Sequence, residues 1–82
     1  MVKIENGRFS ETTFIEDIVG KKIVINKYRN QEGYRLGYVE STNRGKHGYT
    51  LLITFNDECH FNEKSISRYC LHNIEDAVIF MK

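Results

Sequence analysis

The sequence predicts a mainly β domain with a short N-terminal helix, its strands forming a small antiparallel barrel or a strongly bent sheet. Three observations predict it. The chain has 82 residues, which limits it to one hydrophobic core and leaves no cleft between two domains. Short runs of alternating apolar and polar residues recur along it, clearest at Tyr49 to Phe55, where side chains take turns on the two faces of a strand. The runs are separated by Gly, Asn and Asp with no proline anywhere, at spacings of about 10 to 15 residues, which favours closure because a closed sheet leaves no sticky edges.

Each element follows in order. Val2 to Phe9 alternates around Asn6-Gly7, the dipeptide that turns a tight hairpin because both residues tolerate positive φ. Thr13-Phe-Ile-Glu16 reads as a capping box opening a short helix that ends at Gly20, with Phe14, Ile15, Ile18 and Val19 on one face. Lys22 to Tyr28 is rich in β-branched residues and reads as a strand, interrupted at Arg29 to Gly33. Tyr34 to Glu40 is the next strand, dissolving into the polar loop 41 to 48. Tyr49 to Phe55 places Tyr49, Leu51, Ile53 and Phe55 on one face. Cys59 to Phe61 reads as a short return strand after a turn at 56 to 58, Asn62 as the cap of a helical turn through Ser65 to Tyr69, and Ala77 to Met81 as the last strand. The whole is one domain over 1–82, with a hairpin and helix in 1–19 and a barrel-like core in 20–82.

Charge is partitioned along this order. Residues 1 to 19 set Lys3 and Arg8 against Glu5, Glu11, Glu16 and Asp17, a net of −2. Residues 20 to 49 set Lys21, Lys22, Lys27, Arg29, Arg35, Arg44 and Lys46 against Glu32 and Glu40, a net of +5, and the remainder comes to −2. Concentrated positive charge attracts anions, whereas the same charge paired with acidic neighbours only solvates a sheet. No apolar run approaches the roughly 20 residues needed to cross a bilayer. With two cysteines and no basic-then-apolar leader after Met1, the expectation is a reducing, cytoplasmic setting and no membrane partner.

Val19-Gly-Lys-Lys-Ile-Val-Ile25, Tyr34-Arg-Leu-Gly-Tyr-Val-Glu40 with Gly37 at a bend, Tyr49 to Asn56, Asp57-Glu-Cys-His-Phe61 and Asn62 to Leu71 follow one another as strand, strand, strand, tight turn with short strand, and helical turn. In this, residues 20–72 resemble the SH3-like small barrels, in particular the Tudor and KOW-type branch. The resemblance implies a barrel and a binding role toward nucleic acid, peptides or the machinery around them. The segment before residue 20 is an addition to the family pattern, and the family's aromatic cage has no residue-by-residue counterpart here.

The strongest chemical signal is the basic, tyrosine-interleaved centre. Lys27, Tyr28, Arg29, Arg35, Arg44, Lys46 and His47 are the candidate nucleic-acid or partner contacts, because cations neutralise phosphates while rings stack on exposed bases. They are expected side by side on one outer wall of a sheet enclosing Leu36, Leu51, Ile53 and Phe55. Against this, tyrosines in strand phase with those residues also serve as core. Cys59, His60, Cys70 and His72 are zinc-competent residue types, but 59 and 60 point to opposite faces of a strand and the pairs lack the usual two to four intervening residues; no metal and no cofactor is expected. Cys70, His72 and Asp76 lack a nucleophile elbow or an oxyanion turn, and the glycines match no phosphate-cradling loop, so the expectation is no enzyme. The reading is a small non-catalytic regulatory module contacting nucleic acid through a basic face. The alternative is a protein-interaction module, such as a phage or mobile-element inhibitor of a host nucleic-acid enzyme. A homodimer through an unpaired strand edge is a further partner option.

Overall fold

The computed structural model describes residues 1–55 and 65–81. The strands are β1 (Val2–Glu5), β2 (Arg8–Phe9), β3 (Lys22–Tyr28), β4 (Gln31–Gly45), β5 (Gly48–Phe55), β6 (Ser65–Cys70) and β7 (Ile74–Phe80). They form one antiparallel sheet in the order β2-β1-β7-β3-β4-β5-β6. The sheet curls around its own inner face like a barrel left partly open. Alternation explains which residues it encloses: Ile4, Ile23, Ile25, Val39, Leu51, Ile53 and Ile79 are fully buried, joined by Ile74 at the start of β7 and by Ile18 from a connection.

Two local features produce the curl. A β-bulge at Glu40 separates the Val39/Ile53 and Ser41/Leu52 pairs, so the first half of β4 pairs with β3 and the second half swings onto β5; bulges increase twist in this way. Just before it, a Cβ at Gly37 would stand 2.6 Å from the Thr54 carbonyl oxygen and 2.8 Å from Ile53 Cγ2, an approach open only to glycine. The N-terminal hairpin turns as its sequence predicts, with Asn6 at φ 50° and Gly7 at φ 79°. Both turn amides then donate into the β7 end, Asn6 N–H to the Glu75 carbonyl at 3.0 Å and Gly7 N–H to Ile74 at 2.8 Å. β1 thus extends this chain's own sheet by pairing with β7.

β6 ends the sheet, and the curl brings β3 back toward it. The Cys70 N–H donates to the Tyr28 hydroxyl at 3.1 Å, and the Tyr28 ring meets Tyr69 edge-on at 4.7 Å. A 3-10 turn, Leu71–Asn73, then carries the chain into β7, and Arg29 N–H donates to the Asn73 carbonyl at 2.7 Å. One side chain and one turn therefore bridge the sheet's two limbs where a strand ladder is absent.

Four expectations are corrected. The N-terminal helix is only a 3-10 turn, Ile15–Ile18; Phe14 precedes it without a side-chain cap, and the Thr13 hydroxyl donates to the Glu11 carbonyl. A segment this short and β-branched does not repay helix nucleation, and Ile18 alone of the supposed apolar face is buried, with Phe14 and Val19 exposed. The loop at 41 to 48 is strand through Gly45, because Thr42, Asn43 and Arg44 find ladder partners in Leu51, Thr50 and Tyr49. The interruption at 29 to 33 shrinks to Arg29-Asn30 for the same reason. The helical turn at 65 to 69 is strand β6, and the 3-10 turn follows it at Leu71–Asn73. The expected turn at 56 to 58, the strand Cys59 to Phe61 and the Asn62 cap lie outside the described residues.

Candidate functional site

The curl sorts the seven candidate residues into three environments. Tyr28 ends β3 and Arg29 follows it in the turn, with the Arg29 guanidinium 5.7 Å from the Tyr28 ring centroid. Arg44 and Tyr49 are Cα partners near the tip of the β4–β5 hairpin, with the Arg44 guanidinium 5.8 Å from the Tyr49 ring. Cys70 joins the two pairs: its N–H reaches Tyr28, and its Cα partner is Thr50, next in sequence to Tyr49. Both arginine-tyrosine pairs therefore lie toward the Cys70 end of β6, at one mouth of the curled sheet. Lys46 and His47 form the exposed tip of that hairpin, between Gly45 and Gly48.

Lys27 and Arg35 are placed elsewhere, so the single basic wall is corrected. Lys27 lies in register with Glu32 on one side and Asp76 on the other, and its ammonium is 3.5 Å from the Glu75 carboxylate. Its charge is spent locally. Arg35 pairs with Ile25 in the core-facing phase, and its Nη1 is buried without a hydrogen-bond partner. The expected enclosed set is also partly corrected. Leu51 and Ile53 are buried and Phe55 packs against them. Leu36, with Tyr34 and Tyr38, falls in the outward phase because Gly37 and Val39 face in, leaving Tyr34 71% and Tyr38 42% exposed.

Arg29 opens the two-residue loop of the β3–β4 hairpin, where tight hairpin turns require positive φ. Its φ is 59°, in the left-handed region that a long side chain enters at a cost of about 1 kcal/mol or more. The bond to Asn73 holds it there.

Composition and spacing gave no sign of one other feature. On the outer face of the last three strands, Ser41, Asn43, Thr50, Leu52 and Arg68 line an open depression of about 150 Å³. The cross-strand rows Ser41/Leu52/Arg68 and Asn43/Thr50/Cys70 bring them together, and only a known register reveals such a grouping.

Among the described residues no group of three His, Cys, Asp or Glu side chains is placed to hold a metal ion; Cys59 and His60 lie outside those residues. No helix is long and apolar enough to cross a membrane among the same residues. Comparisons with protein-family models, with curated proteins and with solved structures find no match to this chain. Its class is therefore defined by geometry: a small, mainly β domain built on a curled antiparallel sheet, consistent with an SH3-like barrel.

Proposed function

We propose that this chain is a non-catalytic binding module of the SH3-like kind that contacts nucleic acid at the mouth formed by Tyr28, Arg29, Arg44, Lys46, His47 and Tyr49. The observation that carries the reading is the pair of arginine-tyrosine stacks toward the Cys70 end of β6. A guanidinium over a ring offers a flat, sequence-tolerant surface for an unpaired base and a positive charge for the adjoining phosphate. Lys46 extends that charge along the hairpin tip, beside the exposed His47. Single-stranded or distorted nucleic acid suits the site better than regular duplex, whose bases present no free faces for stacking.

The test is an anisotropy titration of the full chain with random single- and double-stranded oligonucleotides at low and moderate salt. Log affinity is expected to fall linearly with log salt, with a slope of about −0.7 for each single-strand phosphate neutralised. No binding at low salt overturns the reading.

A specific observation also supports the protein-interaction alternative. Val78, Val24 and Leu36 are cross-strand neighbours on the outer face of β7, β3 and β4, each only partly covered, beside exposed Tyr34 and Tyr38. A partner protein seated on that strip would bind with little response to salt.

A further inference from the structure

We propose that the outer-face depression lined by Ser41, Asn43, Thr50, Leu52 and Arg68 is a phosphate-class oxyanion site, separate from the mouth. The inference does not need the mouth reading. Where that reading holds, the site takes a backbone phosphate of the same bound strand.

The residues suit this ligand and few others. The three short polar side chains come from β4 and β5 and leave a hollow on the sheet, which Leu52 and the longer Arg68 close on the β5–β6 side. Arg68 brings a planar fork of donors matched to two oxygens of one oxyanion. The Ser41 and Thr50 hydroxyls and the Asn43 amide add neutral donors that can turn toward the remaining oxygens. Among the described residues no carboxylate lines the depression, which argues against a metal cation, whose hard oxygen ligands would be acidic.

One row away, a described carboxylate already has a partner of its own. Glu40, bulged out of β4 beside Ser41, accepts a hydrogen bond from the Thr54 hydroxyl at 2.8 Å, and Thr54 is itself 5% exposed. Among the described residues the carboxylate closest in register is thereby held by a buried partner, and no ion pair forms to Arg68.

The site lies just over the rim from the mouth. Thr50 lines the depression, and its cross-strand partner Cys70 receives Tyr28 from the other side. A strand stacked on Tyr28 or Tyr49 would need only to cross that rim to present a phosphate to Arg68.

The experiment uses the ¹⁵N-labelled full chain titrated with sodium phosphate at constant ionic strength, with chloride as the balancing anion. Saturable shifts are expected at the Asn43, Thr50, Leu52 and Arg68 amides and at Arg68 Nε. Arg68→Ala should abolish saturation at the three remaining backbone amides, Arg68→Lys should weaken it because the fork is lost, and Thr50→Val should weaken it without disturbing the spectrum elsewhere. Non-saturating shifts, or saturation unchanged in Arg68→Ala, overturn the site. An oligonucleotide arm identifies the source of the anion: a salt slope shallower by about 0.7 in Arg68→Ala assigns a phosphodiester, and an unchanged slope with intact phosphate binding assigns a free oxyanion. The two readings fail separately. Loss of oligonucleotide binding in Arg29→Ala with Arg44→Ala leaves the phosphate titration unaffected if the depression is a site in its own right.

Discussion

The wall made by β7, β3 and β4 and the mouth beside Cys70 draw on the same basic stretch of sequence and treat its charges in opposite ways. On the wall, Lys27 sits in a row with Glu5, Asp76 and Glu32 and pairs with Glu75, while Lys22 lies 5.7 Å over the Phe80 ring. At the mouth, Arg29 and Arg44 lie over tyrosines and, among the described residues, meet no carboxylate within ion-pair distance. A run of cations in sequence is therefore not yet a basic surface. Strand pairing decides which charges are cancelled by a neighbour and which remain to meet a ligand.

The contrast can be broken or sharpened by substitution. The largest effect should come from the core that both regions share. Ile53→Ala is expected to destabilise the fold by about 3 kcal/mol, read as a lower urea midpoint with an unchanged slope, and to abolish the distinction by unfolding both regions. Next, Arg44→Glu with Lys46→Glu should lower oligonucleotide affinity at least tenfold, about 1.4 kcal/mol, while the thermal midpoint stays nearly constant because exposed tip charges contribute little to stability. Unchanged affinity would move the contact away from the mouth.

Tyr28→Phe removes the acceptor for the Cys70 N–H and should destabilise by about 1 kcal/mol, with amide shifts at Cys70 and Arg29 and little change on the wall. Arg29→Asn offers the finest discrimination. Asparagine tolerates the left-handed backbone that arginine resists, so stability should rise by roughly 0.5 kcal/mol while oligonucleotide affinity falls; if both fall together, the strain at Arg29 serves folding and not binding. Smallest of all, Lys27→Met should shift stability by less than about 0.5 kcal/mol, since its ion pair is more than a third exposed on the lysine side, and should leave oligonucleotide affinity where it was.

The sequence was most legible where local chemistry decided the outcome. Asn6-Gly7 specified its turn through two residues that accept positive φ, and the alternation of Leu51 and Ile53 marked the buried face of β5. It was least legible where a partner strand decided. The polar stretch Ser41 to Gly45 looks like a loop in isolation and becomes strand because β5 supplies its ladder. The capping box at Thr13 was a genuine local pattern with too few residues behind it. For the site, composition singled out the arginines and tyrosines, but where each lies was not legible: the inward turn of Arg35, the pairing of Lys27 with Glu75 and the grouping around Arg68 all depend on cross-strand register, which no single strand encodes.

The way the sheet's two limbs meet has a consequence for motion. A cylinder zipped shut by a complete ladder widens only by melting, whereas a seam fastened by one phenol and one turn has few links to part while the rest stays intact. Tyr28 then acts as a clasp. With its bond to Cys70 broken, the limbs stay joined by the Arg29–Asn73 bond and by the Leu71–Asn73 turn.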